Sequence, residues 1–385
     1  MSERTVAVVT GTRAEYGLLK SPMEAICAHE DLSLTTVATG MHLSPQYGKT
    51  VDRIRDDGFA VDHTVEMLVD GDSTRVMAKS VGLGFLGLAD TFEEADPDIV
   101  LVLGDRGEAF AAGVTAAHMN VPVGHIHGGD SMDGAVIDDS VRHALTKFAH
   151  VHFPASESSA ERIRGLGEEP WRVTTAGAPG IDDIRASDYT DPERVFAELG
   201  LSGSGPVVVV VQHPVTIAEE CAGEQMERTL DAVKGVEGQP VVVYPNSDAG
   251  GQRIIDTIES HPVGETAETF KSLPRDQYLG LLEGAAVLVG NSSSGIIESP
   301  SLDLPVVNVG PRQAGRERAP NVIDVPHETE RIESAIERAL NDDKVRQEAR
   351  RCRNPYDHGG AGARIADRLA SVELNEELLR KKMTY

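Results

Sequence analysis

Two runs of this 385-residue sequence put carboxylates where a proton could be moved. Gly104-Asp105-Arg106-Gly107-Glu108 ends an uninterrupted apolar run, so the Asp105 carboxylate emerges at the rim of a strand with a cation beside it. That suits a catalytic acid or base, although Asp at such a turn also serves as a helix N-cap, and spacing does not choose between the two. Asp138-Asp139-Ser140-Val141-Arg142-His143 supplies two more carboxylates beside a base. The pair could hold a shared or raised pKa, or cap the helix that follows. His125, His127 and Asp130 are metal-ligand types, and the H-x-H spacing at a strand end predicts both imidazoles on one face. No third and fourth ligand cluster of recognisable spacing joins them, which leaves a metal-dependent hydrolase as the reading of another class.

A second group of residues is suited to anions. Gly290-Asn291-Ser292-Ser293-Ser294-Gly295-Ile296-Ile297-Glu298 follows a buried strand and opens a helix, where free N–H groups and hydroxyls can hold a diphosphate. An ordinary N-cap needs one Ser rather than three between glycines. Glu298 could accept from a ribose, or could complement the helix dipole as an acid in its first turns. Arg13, Arg312 and Arg316 sit in glycine-bearing loops, where forked guanidinium groups can meet phosphate oxygens. Gly82-Leu83-Gly84-Phe85-Leu86-Gly87 fits G-x-G-x-x-G, but no strand precedes it and Thr74 to Ala95 reads as helix, so it is set aside as a dinucleotide fingerprint.

These residues need a frame, and the chain alternates short apolar β-rich runs with helical stretches, as parallel sheets with crossover helices do. Strands are expected at Thr5-Val9, Leu34-Ala38, Ile99-Leu103, Val121-Ile126, Val151-Phe153, Val173-Ala176, Val207-Val211, Val241-Tyr244, Val287-Val289 and Val306-Val309. Nearly all are continuous Val/Ile/Leu runs, hence buried on both faces. A second series begins after Ser202-Gly203-Ser204-Gly205-Pro206, which places a domain crossing between about Arg172 and Gly205. The expected division is residues 1–172 with 366–385, against 173–365, with an amphipathic terminal helix from Ile365 onward. The polar clusters all follow strands, so loops from two Rossmann-like α/β domains should face one interdomain cleft.

Composition narrows the ligand. A net charge of −26 argues against nucleic acid or an anionic membrane, yet local Arg and backbone N–H groups can still bind a diphosphate. The excess of acid fits a salt-adapted cytosol or simply an acidic surface. No apolar run reaches the length of a membrane span and no signal peptide precedes the first strand, so a cytoplasmic protein is expected. Cys27, Cys221 and Cys352 form no C-x-x-C pair, which predicts buried free thiols.

The segments Thr10-Gly-Thr-Arg-Ala-Glu-Tyr-Gly17, Gly104-Asp-Arg106, His125-Ile-His-Gly-Gly-Asp130, Asp138-Asp-Ser-Val-Arg-His143, Gln212-His-Pro-Val-Thr216, Pro245-Asn-Ser-Asp-Ala-Gly250, Gly290-Asn-Ser-Ser-Ser-Gly295 and Arg312-Gln-Ala-Gly-Arg316 occur in this order. Together they resemble the hydrolysing UDP-N-acetylglucosamine 2-epimerases, above all the bacterial enzymes of sialic-acid and polysialic capsule synthesis. The resemblance implies a glycosyltransferase-B-like fold, no metal or redox cofactor, and a homodimer or dimer of dimers. It implies anti elimination of UDP from UDP-N-acetylglucosamine to a 2-acetamidoglucal, then addition of water to release N-acetylmannosamine. The same reaction on UDP-2,4-diacetamido-2,4,6-trideoxy-glucose, as in legionaminic-acid synthesis, is the alternative within the family. By matching position, Asp105, Asp138 or Asp139, and His213 fall on catalytic positions. Arg13, Glu15, Arg106, Asn246, Ser292, Ser293, Ser294, Glu298 and Arg312 fall in the nucleotide-contacting motifs. His127 stands where animal and non-hydrolysing relatives carry Glu, with Asp130 three residues on, and both join the catalytic set.

Overall fold

The computed structural model describes residues 3–71, 74–132, 136–201, 205–246 and 248–385. The stretch 202–204 of the expected linker and Ser247 of the Pro245–Gly250 motif therefore lie outside the described residues. The chain divides into two units, residues 1–131, 137–182 and 356–385 in one, and 132–136 with 183–355 in the other.

The first unit holds β1 (Arg4–Thr10), β2 (Leu32–Thr39), β3 (His63–Val65), β4 (Ile99–Leu103), β5 (Val123–Ile126) and β6 (Val151–Phe153) in the order 3-2-1-4-5-6. Every pairing is parallel. Alternation along β1 feeds two cores: Val6 and Val8 pack with Leu19, Met23 and Ile26 of the helix Arg13–Ala28. Ala7 and Val9 pack on the other face with Leu88 and Phe92 of the helix Thr74–Ala95. The G-x-G-x-x-G run lies inside that helix, as its lack of a preceding strand implied.

The second unit repeats the plan with β7 (Val207–Val211), β8 (Gln239–Val243), β9 (Glu268–Phe270), β10 (Val287–Gly290), β11 (Val306–Val309) and β12 (Val322–Val325). Its order, 12-11-10-7-8-9, is the same doubly wound sheet, again all parallel. All five valines of β7 are buried, on alternate faces in two clusters. Full burial of each contributes about 1.5–3 kcal/mol before chain entropy is subtracted, which is why this run makes a central strand.

Several expectations are corrected. Val173–Ala176 is not a strand: Val173 makes one isolated bridge to His152, and Gly177 then turns the chain at φ +93°. The Thr174 and Ala176 N–H groups still bond to the His152 and Pro154 carbonyls. The segment therefore stays with the first sheet, and the division falls at 182/183 rather than 172/173. The return also begins earlier than residue 366. Asp182 accepts from the Ala361 and Gly362 N–H groups at 2.9 and 2.8 Å, tying the start of the helix Ala361–Ser371 to this unit. The single terminal helix becomes this helix plus a turn at Glu376–Leu379. Cys27 and Cys221 are exposed and Cys352 is half-buried, so the thiols are free but not buried. Among the described residues no helix is long and apolar enough to cross a membrane.

Candidate active site

Because each sheet is parallel, every loop that follows a strand lies at one edge of its sheet. In the first unit Asp105 leaves β4 and its carboxylate pairs with Nη2 of Arg142. Nη1 of the same guanidinium donates to Asp139 Oδ1 at 2.9 Å and to the Asp130 carbonyl at 3.2 Å. Asp139 and Arg142 stand at i,i+3 on the helix Val136–Phe148, which brings both to one face. Arg142 is 2% exposed, whereas the Asp105 and Asp139 side chains are 20% and 23% exposed. One covered cation thus holds two carboxylates that remain open to a ligand.

The helix Gly107–His118 starts on Arg106 without a side-chain cap, so Asp105 is not spent on capping. Asp139 also accepts from Ser131 Oγ at 3.3 Å, and its Oδ2 lies 3.6 Å from His143 Nε2. Burial pulls the His143 imidazole below its ordinary pKa against the opposing charge of Asp139. Asp138 occupies the first turn of the same helix, half-buried.

His125 and His127 do not share a face as the H-x-H spacing predicted. β5 ends at Ile126, and His127 takes φ +61°, which breaks the strand alternation. His125 is fully buried, and its Nε2 meets the Gly104 carbonyl at 2.7 Å. Burial holds its pKa at about 3, so a neutral ring donates to and fixes the carbonyl just before Asp105. Asp130 is buried and accepts from Ser159 Oγ at 2.7 Å. Among the described residues no cluster of three or more His, Cys, Asp or Glu is placed to hold a metal ion.

The loop after β1 meets the loop after β4, at the point where strand order reverses. Thr12 Oγ1 caps the helix Arg13–Ala28 by accepting the Glu15 N–H at 3.2 Å, and Glu15 Oε2 returns to the Gly11 N–H at 2.6 Å. Arg13, half-buried, is the first residue of that helix. A Cβ on Gly11 would lie 2.5 Å from Glu108 Cγ, so only glycine admits the buried Glu108 here. Arg106 Nε stands 3.5 Å from Glu108 Oε2. Burial first, then the Glu108 charge, raises the Glu15 carboxyl to about 7, with the Gly11 N–H and Arg106 opposing. Glu15 is 5% exposed and anchors the loop that carries Arg13.

The second unit is built likewise at its own reversal between β7 and β10. Asn291 Oδ1 accepts the His213 N–H at 2.7 Å and its Nδ2 donates to the His213 carbonyl at 2.9 Å. Arg312 Nη1 and Gln313 Nε2 both donate to the Asn291 carbonyl, at 3.1 and 2.9 Å. His213 Nδ1 accepts the Asn246 N–H at 3.1 Å. Burial, then the Arg312 charge, lowers His213 to about 3. The ring is therefore neutral with its proton on Nε2, a donor for an anionic oxygen. Asn246 Nδ2 donates to Asp248 at 2.5 Å.

Ser292 Oγ and Ser294 Oγ lie 3.3 Å apart beside Ser293, which makes no side-chain cap bond. The helix they open is only Ser294–Ile297, followed by a tight turn, so Glu298 ends it rather than lying in its first turns. Glu298 pairs with Arg275 Nη1 at 2.8 Å, and Arg275 Nε donates to Asp183 at 2.7 Å. Sequence reading assigned no role to Arg142, Asn291 or Arg275. The first two stand inside quoted motifs, and the i,i+3 spacing of Arg142 from Asp139 was the available signal.

A family model described as UDP-N-acetylglucosamine 2-epimerase matches residues 24–370. The UDP-N,N'-diacetylbacillosamine 2-epimerase (hydrolyzing) of Legionella pneumophila is 35% identical over 99% of this chain and 100% of its own length. The UDP-N-acetylglucosamine 2-epimerase of Neisseria meningitidis serogroup B is 30% identical over 88% of each chain. A crystal structure of a Neisseria meningitidis UDP-GlcNAc 2-epimerase bound to UDP-GlcNAc covers 95% of this chain and 99% of its own at TM-score 0.80 and 20% identity. That likeness shows the fold, the paired Rossmann-like, glycosyltransferase-B-like architecture expected from the sequence.

Proposed function

Because the chain belongs to the UDP-N-acetylglucosamine 2-epimerase family, we propose that it is a hydrolysing 2-epimerase that releases UDP and a free 2-epimerised sugar from UDP-N,N'-diacetylbacillosamine. The reaction class is carried by the Arg142 guanidinium shared between Asp105 and Asp139. Elimination takes the C2 proton, whose bonding pair becomes the C1–C2 double bond of a 2-acetamidoglucal, while the C1–O pair departs with UDP. Water then adds its hydroxyl to C1, and a proton returns to C2 from the opposite face.

Positive charge builds at C1 and negative charge on the diphosphate, so carboxylates are needed on one side and donors on the other. Asp105 and Asp139, with Asp138 in the first turn of the same helix as Asp139 and His127 and Asp130 in the loop after β5, serve the sugar carbons. For the phosphates the second unit offers His213 Nε2–H, Arg312 and the Ser292-Ser293-Ser294 hydroxyls, with Asn246 and Glu298 in the same unit, and the first unit offers Arg13 and Arg106. Identity over the full length favours the diacetamido sugar. UDP-N-acetylglucosamine, giving N-acetylmannosamine, is the second reading, supported by the 30% likeness to the Neisseria protein. A homodimer or dimer of dimers in the cytoplasm belongs to the same proposal.

The test is turnover of both UDP-sugars in D₂O, followed by NMR of the released sugar. Solvent deuterium at C2 is expected, with the diacetamido substrate preferred; a preference for UDP-N-acetylglucosamine moves the assignment to the second reading. A product without deuterium at C2 rules out elimination and addition. Asp105→Asn keeps the size of the side chain but not its charge, and should lower kcat roughly 10²-fold with UDP affinity unchanged by calorimetry.

A further inference from the structure

The helix Val136–Phe148 carries Asp139, Arg142 and His143 in its middle, and the carbonyls at its far end are closed by a residue distant in sequence. Lys381 Nζ donates to the Thr146, Lys147 and Ala149 carbonyls at 3.0, 2.9 and 2.6 Å. It also pairs with Glu168 Oε2 at 2.7 Å. Glu168 is 1% exposed, and it also receives Lys147 and lies 3.2 Å from His152 Nε2. The segment that presents Lys381 is independently fixed. Arg172, fully buried, donates to the Glu377 and Leu378 carbonyls at 2.8 Å each and lies 4.2 Å over the Trp171 ring. Leu378 is buried in the core, and the Thr384 N–H reaches the Gly167 carbonyl at 3.2 Å.

We infer that Lys381 is a positioning residue for the reaction, because its ammonium closes the helix end whose middle turn holds the Arg142 clamp. The last carbonyls of a helix have no N–H partners of their own and carry partial negative charge, and a cation there supplies both bonds and opposite charge. Thr146 links the two turns directly: its Oγ1 donates to the Arg142 carbonyl at 3.1 Å, while its own carbonyl accepts from Lys381. Arg142 must meet Asp105 and Asp139 together, so a small displacement of its turn separates carboxylates that the chemistry needs in fixed places. His152, on the other side of Glu168, pairs in register with His125, whose ring fixes the Gly104 carbonyl before Asp105. Lys381 thus braces the assembly from behind without touching the ligand-facing groups.

The effect on turnover rests on the proposed reaction, so the deciding readout is one that needs no substrate. Hydrogen exchange by mass spectrometry is compared for the wild type, Lys381→Met and Lys381→Arg, alongside UDP affinity and kcat. Lys381→Met should speed exchange across residues 139–149 and lower kcat about fivefold, with UDP affinity unchanged. Lys381→Arg, which keeps charge and multiple donors, should recover both. If Lys381→Met does not fold, Lys381→Gln, which keeps donors without charge, carries the same comparison. Faster exchange confined to residues 372–385, or a fall in kcat with the helix equally protected, overturns the inference. Absence of turnover on either UDP-sugar by the wild type counts against the substrate reading alone, since the exchange result still decides the role of Lys381.

Discussion

A carboxyl buried beside a second carboxylate keeps its proton longer than one in water, and Glu15 beside Glu108 is such a group. Its folded pKa of about 7 lies above the ordinary 4.5 of the unfolded chain. Its contribution to stability is therefore fully present below about pH 4.5 and is lost as pH rises through 7, on the order of 3 kcal/mol in total. Glu15→Gln, which imitates the protonated form, should be more stable than the wild type at pH 8 and no more stable at pH 4.5. Urea unfolding at both pH values checks this, and parallel curves for the two proteins would sink it. What the sequence does disclose is the place of single residues that stand just past a strand end, as Asp105, His213 and Ser292 do. Arg142 was not, because its pairing with Asp105 spans 37 positions and depends on how a helix lies over a neighbouring loop. The two histidines do not share a face because β5 ends at Ile126, as expected, and His127 beyond it turns to φ +61°, so strand alternation does not carry over to it.

Among elements, the strands found from sequence are mostly those buried on both faces, and the three missed are β3, β9 and β12, all at sheet edges. An edge strand has one exposed side and needs no continuous apolar run, so His63-Thr64-Val65 and Glu268-Thr269-Phe270 carry little signal. The central pair β7 and β10 sets a stricter demand. Gly290 takes φ +126°, and a Cβ there would lie 2.1 Å from the Val211 carbonyl oxygen of the neighbouring strand. Gly290→Ala should cost about 1–3 kcal/mol or more of stability and weaken UDP binding by displacing Asn291 and the serines after it. Denaturant melts and calorimetry measure the two effects; a variant unchanged in both would mean the strand ends can part without consequence.

At the scale of the whole molecule, a net charge of −26 opposes the approach of the diphosphate that the proposed function assigns to the local Arg, His213 and serine groups. Salt screens the distant repulsion more than the short contacts. The association rate of UDP should therefore rise between about 0.05 and 0.5 M salt, where the Debye length falls from roughly 14 to 4 Å. Stopped-flow binding tests this, and a rate that falls with salt would point to a net positive field over the site. The two α/β sheets were readable as a repeated series of strands, and the crossing between them only as a range, from about Arg172 to Gly205, which contains 182/183. Val173–Ala176 reads as one more strand at the start of the second domain and instead only follows the edge strand of the first sheet. The corrected boundary bears on the order in which the chain can be built. Apart from residues 132–136, the second unit is one continuous stretch, 183–355, whereas the first sheet needs Ile365, Leu369 and Val372 to cover one of its faces. On a ribosome the later-encoded sheet can close its core while the earlier one waits, half-roofed, for residues 356–385 to emerge.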